Sequence, residues 1–240
     1  VTETPIEPAA PEAPFEPPSP EPVEVAMVFP AEALVYSPPR GIDPLLARWR
    51  VPGVVRSTTG PNVKIQALAP DHTGLTAEAS PTLYWVLSTG TALRVELVVT
   101  DDGSEEPLFD QSLDGAEAGV HALHLADHAI VLSPGTTYRW YATVVPDPND
   151  RSNEVVSGGA IERVELDPAL VERIAETDPG RRAHVLAEGG LFYDALDVVS
   201  TWIVDHPDAA EPRRDRAALL EAVGLGKALP DTGDGDAGAG

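Results

Sequence analysis

The chain has 240 residues, 39 acidic against 16 basic, a net charge of −23, 25 prolines, 20 glycines and no cysteine. That charge repels phosphate backbones and anionic membrane surfaces and argues against nucleic-acid binding. Without cysteine there is neither a disulfide framework nor a thiolate metal centre, and no apolar run approaches the ~20 residues of a membrane-spanning helix.

Residues 1–24 place Pro5, Pro8, Pro11, Pro14, Pro17, Pro18, Pro20 and Pro22 among glutamates and alanines. Proline fixes φ and removes donors, and the glutamates repel one another, so a disordered, extended tail is expected. No export signal is visible, but the chain begins at Val1 rather than Met, which leaves room for one upstream. Residues 25–61 carry Val28, Phe29, Leu34, Tyr36, Leu45, Leu46 and Trp49 between proline-rich points, too many apolar side chains for free coil. An extended arm packed on the core is expected there.

Residues 62–166 read as strands. Val63 to Leu68 alternates, Pro70 to Gly74 is a turn, and Pro81 to Leu87 places Leu83, Trp85 and Leu87 on one face. Between Ala92 and Val99, Leu93, Val95, Leu97 and Val99 point inward against Arg94 and Glu96, and Thr100–Gly103 is a hairpin signal. Further strands are expected at 107–113, 119–125, 137–145 and 154–166. The run Leu132-Ser-Pro-Gly-Thr-Thr-Tyr138-Arg-Trp140 sets a proline-glycine turn before a tyrosine and an alternating aromatic strand. Two-sheet sandwiches turn such a corner with the tyrosine hydroxyl bonded to upstream backbone, which makes an immunoglobulin/fibronectin III-like β-sandwich the expected body.

After Leu166 the period changes, and residues 167–226 form a small C-terminal helical region. Asp167-Pro168 and Asp178-Pro179 each read as an N-cap followed by proline at the first helical position. From Leu191 to Asp205, Phe192, Ala195, Leu196, Val199, Trp202 and Ile203 share one helical face. Gly189-Gly190 ends the helix before it, His206-Pro207 ends this one, and a last helix covers about 212–223. Residues 227–240 form a Gly/Asp-rich tail expected to be disordered. Within it Leu229-Pro-Asp-Thr-Gly233 matches a sortase pentapeptide but lacks the hydrophobic and basic residues that must follow.

Several stretches, in this order, follow the pattern of a bacterial family catalogued as a domain of unknown function, number 928. They include Tyr36-Ser-Pro-Pro-Arg-Gly41, Ile65 to Pro70, Pro81-Thr-Leu-Tyr-Trp85, Leu132 to Trp140, Asp147 to Ser152, Leu186 to Leu196 and Leu219 to Leu225. The chain resembles that family from about Tyr36 to Leu225. The resemblance implies an exported envelope protein, periplasmic or extracellular; other envelope proteins are the expected partners. It supplies no catalytic residues, and the cysteine pair that members often carry is missing here. Leu186 to Leu196, with Pro207 after the second helix, also resembles one tetratricopeptide-type hairpin. Such hairpins need about three stacked copies to stand alone, so this one must bury its face against the sandwich, its flanking helices or a partner.

Sites are weighed last. His121, His124 and His128 are the best metal candidates, yet His121 and His124 lie on opposite strand faces because their separation is odd, and His128 lies past the strand end. Asp147 and Asp150 offer oxygen ligands suited to Ca²⁺ in a loop without the glycine and spacing of an EF-hand, where Arg151 can ion-pair to lock a turn. Structural roles are favoured for both clusters. Trp85, Trp140, Trp202, Tyr138 and Phe192 read as core, whereas Tyr84, Tyr141 and Tyr193 are expected to be partly exposed. Tyr141, Tyr193 and Arg151 are the interaction candidates. No serine elbow, triad or phosphate loop is present, so no enzyme and no cofactor is expected. The leading expectation is a protein–protein interaction or assembly module, and the rival is a carbohydrate- or metal-binding module using the sandwich loops.

Overall fold

The computed structural model describes residues 27–39, 63–101, 104 and 106–229, together with the backbone of 53–55. The tail expected at 1–24, residues 230–240 of the tail expected at 227–240, most of the turn at Asp102-Gly103, and Leu45, Leu46 and Trp49 lie outside the described residues. The start of the C-terminal tail departs from the expectation of disorder, because Ala228 and Leu229 pack against the core.

Among the described residues nine strands precede four α-helices: β1 (Gly53–Val55), β2 (Val63–Ala67), β3 (Gly74–Thr76), β4 (Thr82–Leu87), β5 (Thr91–Asp101), β6 (Phe109–Ala116), β7 (Gly119–His124), β8 (Thr137–Val145), β9 (Val155–Arg163), then α1 (Pro168–Glu176), α2 (Arg182–Glu188), α3 (Phe192–Asp205) and α4 (Glu211–Ala222). The strands form two sheets, ordered β1-β2-β4-β7 and β3-β9-β8-β5-β6. The fold is thus mixed, two sheets followed by four helices. Between the named strands all pairings are antiparallel except β3 with β9, a three-residue parallel pair (Gly74↔Ile161 to Thr76↔Arg163) that starts on the last residue of the turn expected at Pro70–Gly74.

Alternation drives β5 and β8. Val95, Leu97 and Val99 are buried while Arg94 is exposed, and Tyr138, Trp140, Ala142 and Val144 line the buried face of β8. The two sheets are stitched at one side by Ser157 on β9, whose Oγ accepts the Ala67 N–H from β2 at 2.8 Å. The corner forms as its residues demand: the Ser133 N–H donates to the Tyr138 hydroxyl oxygen at 3.0 Å. Tyr138→Phe leaves that N–H without its acceptor, and we expect a loss of about 1–2 kcal/mol, measured by urea denaturation.

Strand β4 does not alternate, because every one of its residues is buried. One face carries Leu83, Trp85 and Leu87 into the core. On the other face the Tyr84 hydroxyl donates to Asp197 Oδ1 on α3 at 2.8 Å. A sheet covered on both faces reads as a continuous apolar run, and Thr82-Leu-Tyr-Trp-Val-Leu87 is one. Tyr84, expected to be partly exposed, is therefore buried beneath α3.

The helices begin and end as their caps direct. Asp167 accepts from the Ala169 N–H before α1, and Asp178 accepts from the Gly180 N–H. The second cap opens only a 3-10 turn, Pro179–Arg181, from which α2 continues. Gly190, at φ +81°, reverses the chain into α3, and Phe192, Leu196, Val199 and Trp202 are all buried. The single hairpin of α2 and α3 meets its burial requirement within the chain, against β3 and β4 on one side and the arm on another.

Candidate functional site

Residues 27–39 lie along the helices as an extended segment without strand pairing. Leu34 and Tyr36 are buried and Val35 between them is 64% exposed, the period of a chain seated in a groove. The grip is mainly on the main chain. Arg214 on α4 donates to the carbonyls of Pro30, Ala31 and Glu32 at 2.8, 2.7 and 3.0 Å. The Leu34 N–H donates to Asp215 Oδ1 at 3.3 Å, and the Ser37 N–H donates to the Ala187 carbonyl at 3.1 Å. Gly180 admits the arm closely, since a Cβ there would collide with the Val28 carbonyl.

Three side chains anchor it. Phe29 meets Trp202 and His206 edge-on, with ring centroids 5.2 and 5.4 Å away. Leu34 is buried in the common core. Tyr36 meets Phe192 edge-on at 5.6 Å, and its hydroxyl lies 2.9 Å from His72 Nε2. An ion pair from Arg181 to Glu32 at 2.6 Å crosses the rim, beside an open groove of about 370 Å³ lined by Val28, Phe29, Pro30, Ala31, Glu32, Asp178 and Arg181.

The centre of the grip is charged and closed. Asp215 is enclosed, with Arg214 Nη2 at 2.8 Å from Oδ1 and His184 Nε2 at 2.9 Å from Oδ2. A carboxylate only accepts, so His184 Nε2 carries the proton of that bond. Burial works to raise the Asp215 pKa, but the bonds from His184 and Arg214 outweigh it and hold the group below its ordinary value. His184 is itself buried, and the pair serves to hold Arg214 and the arm rather than to face solvent.

A second polar junction fixes α3 on the sheets. Thr76 Oγ1 donates to Asp194 Oδ1 at 2.6 Å and the Ala77 N–H donates to Oδ2 at 2.8 Å. Burial pushes Asp194 up to about 6 against the opposing pull of those two bonds. A carboxyl raised in the folded state contributes stability that is full below about pH 4 and is lost as pH rises through about 6. In Asp194→Asn, the fall in unfolding free energy between pH 4 and 6.5 should be shallower than in the wild type by roughly 2 kcal/mol. Urea titrations across that range measure it, and equal slopes in the two proteins would remove the assignment.

The residues singled out from sequence are scattered. His121 stacks on Trp85 with centroids 4.2 Å apart, and its Nε2 lies 2.9 Å from the Glu117 carbonyl. His124, on the other face, lies 3.1 Å from Thr82 Oγ1. His128 sits in the 3-10 turn after β7, against Phe109 at 4.6 Å. Among the described residues no three His, Asp or Glu side chains gather where a metal would be held. Asp147 Oδ1 accepts the Asn149 N–H and Asp150 accepts the Ser152 N–H, so both shape their own loop. Arg151 makes a two-pronged contact to Glu96, at 3.2 and 2.7 Å, and pairs with Glu154 at 2.7 Å.

Tyr141 lies on the outer face of β8, half-buried, paired in register with Gly158. Tyr193 corrects an expectation: it is 1% exposed, not a surface group. Its hydroxyl accepts from Trp140 Nε1 and donates to the Ala160 carbonyl, each at 3.0 Å. A phenol with both hydrogen-bond roles filled can be buried at little cost.

The Arg214–Asp215–His184 grip was not singled out in sequence. Its only sequence signal is the adjacent Arg214-Asp215 pair on an amphipathic helix, which resembles any solvated charge pair.

No curated protein matches the chain. The family described as Domain of Unknown Function (DUF928) matches residues 51–231, about three quarters of the sequence, and with that span the chain belongs to the DUF928 family.

Proposed function

We propose that the protein is a non-enzymatic assembly module of the bacterial envelope, periplasmic or extracellular. Its immunoglobulin/fibronectin III-like two-sheet body presents a tetratricopeptide-like helical face to extended segments of other envelope proteins. One observation carries the reading. The helical face already holds an extended segment by five main-chain hydrogen bonds, with side-chain anchors at Leu34 and Tyr36. Main-chain bonds supply affinity and alternate side-chain pockets supply selectivity wherever proteins bind extended peptides. The charge of −23 favours partners with basic surfaces and speeds their encounter at low salt.

The test is fluorescence anisotropy with labelled extended peptides carrying Phe, Leu and Tyr at the arm's spacing. Peptides should bind the protein and compete with its own arm, and Arg214→Ala should weaken them by about tenfold or more, since an ionic hydrogen-bond donor contributes roughly 1.5–3 kcal/mol. No peptide binding at any concentration, in wild type or with the arm loosened from its own side by Tyr36→Ala, would remove the reading.

A further inference from the structure

We propose that the arm is an exchangeable ligand of its groove, and that two copies of the chain join by each laying residues 27–39 across the helices of the other. The inference rests on the peptide-binding reading above and names the partner, a second copy.

Three observations carry it. First, the arm takes part in no strand ladder, and its contacts fall on α2, α3, α4, the turn at Pro179–Arg181 and the β2–β3 loop. It can therefore leave as a unit without opening either sheet. Second, the contacts are complementary to this sequence. Gly180 is open where the Val28 carbonyl passes, and Gly190 lies against the Ser37 carbonyl and the Pro39 ring. Any copy offers the same groove and the same arm, so the bonds broken in one chain re-form between two, in a reciprocal two-fold arrangement. Third, thirteen residues of chain, 40–52, separate the arm from β1, and a chain of that length spans up to roughly 40 Å if extended.

The balance between the closed chain and the exchanged pair then depends on chain entropy and on charge. Two bodies of −23 repel, and salt weakens that repulsion, because the Debye length falls from about 30 Å at 0.01 M to about 8 Å at 0.15 M. A released arm also leaves Phe192 and Trp202 uncovered, which drives recapture from whichever chain is near.

Because the chain has no cysteine, single thiols are unique handles. Glu32→Cys and Arg181→Cys replace the two ends of the exposed ion pair at the rim. In the double variant a short bis-maleimide should close the arm onto its own groove. When chains carrying one thiol each are mixed, it should give covalent dimer several-fold above a control pair with Asp110→Cys in place of Arg181→Cys. The yield should rise with protein concentration and with salt between 0.01 and 0.15 M. Internal closure with no dimer above the control overturns exchange and leaves the peptide-binding reading intact. Failure of both internal closure and dimer overturns the arm's seat and the reading with it. Dimer that falls with salt would also sink the proposal, because the two copies would then be held by surface charge.

Discussion

Trp140→Ala is expected to lower the unfolding free energy by about 3–5 kcal/mol, the range for removing a buried tryptophan side chain. Trp140 is 1% exposed and lies in register with Gly159 of β9. Its Nε1 is the donor to the Tyr193 hydroxyl, and that hydroxyl is the donor to the Ala160 carbonyl. Truncation opens a cavity beside Gly159 and takes away one of the two bonds that allow a phenol on α3 to sit inside the sheets. The loss thus spans sheet and helix. Urea denaturation followed by tryptophan-independent circular dichroism measures it, with a lower midpoint and an unchanged slope expected. Trp140→Phe, which keeps most of the volume but not the donor, should cost less. A loss below about 0.5 kcal/mol for the alanine variant, the size of a typical surface substitution, would deny Trp140 its central place.

Asp215→Ala is expected to cost a similar amount, about 3–5 kcal/mol, for a different reason. Removing one member of a buried ion pair leaves the rest uncompensated, and here three donors lose their acceptor at once: Arg214, His184 and the Leu34 N–H. The arm should loosen before the body does, read as faster proteolysis within 27–39 under native conditions. Acidification should do the same to the wild type. The Asp215 pKa is depressed in the folded chain, so its contribution is present above about pH 4 and is lost as pH falls through the depressed value. Asp194 acts in the opposite sense, and the two buried aspartates therefore separate cleanly in a pH series. Equal proteolysis rates for wild type and Asp215→Ala would show that the arm is held without the carboxylate.

Much of this was legible in the residues. Alternation located β5 and β8, the Pro-Gly-Thr-Thr-Tyr run located the corner, and the 3.6-residue spacing from Phe192 to Trp202 located α3 and its buried face. What was missed has physical causes. β3 is three residues long and parallel, so it lacks both the length for a periodic signal and the hairpin turn that marks an antiparallel neighbour. The expectation that Tyr84 and Tyr193 are partly exposed rests on the premise that the face or flank opposite the core residues is solvated. That premise fails where a sheet is covered twice. The arm grip was invisible because it joins residues 181 positions apart, Leu34 and Asp215, through main-chain atoms that every sequence possesses.

The double cover over β4 has a consequence for how the molecule comes apart. With Trp85 turned to one layer and Tyr84 to the other, neither the strands nor the helices keep a finished exterior when separated. A truncation after Leu166 would strip Tyr84 of Asp197 and of its cover and should yield sticky, poorly soluble material. Heating the whole chain should instead give one calorimetric peak, with van't Hoff and measured enthalpies in agreement, because strands and helices share a single melting event.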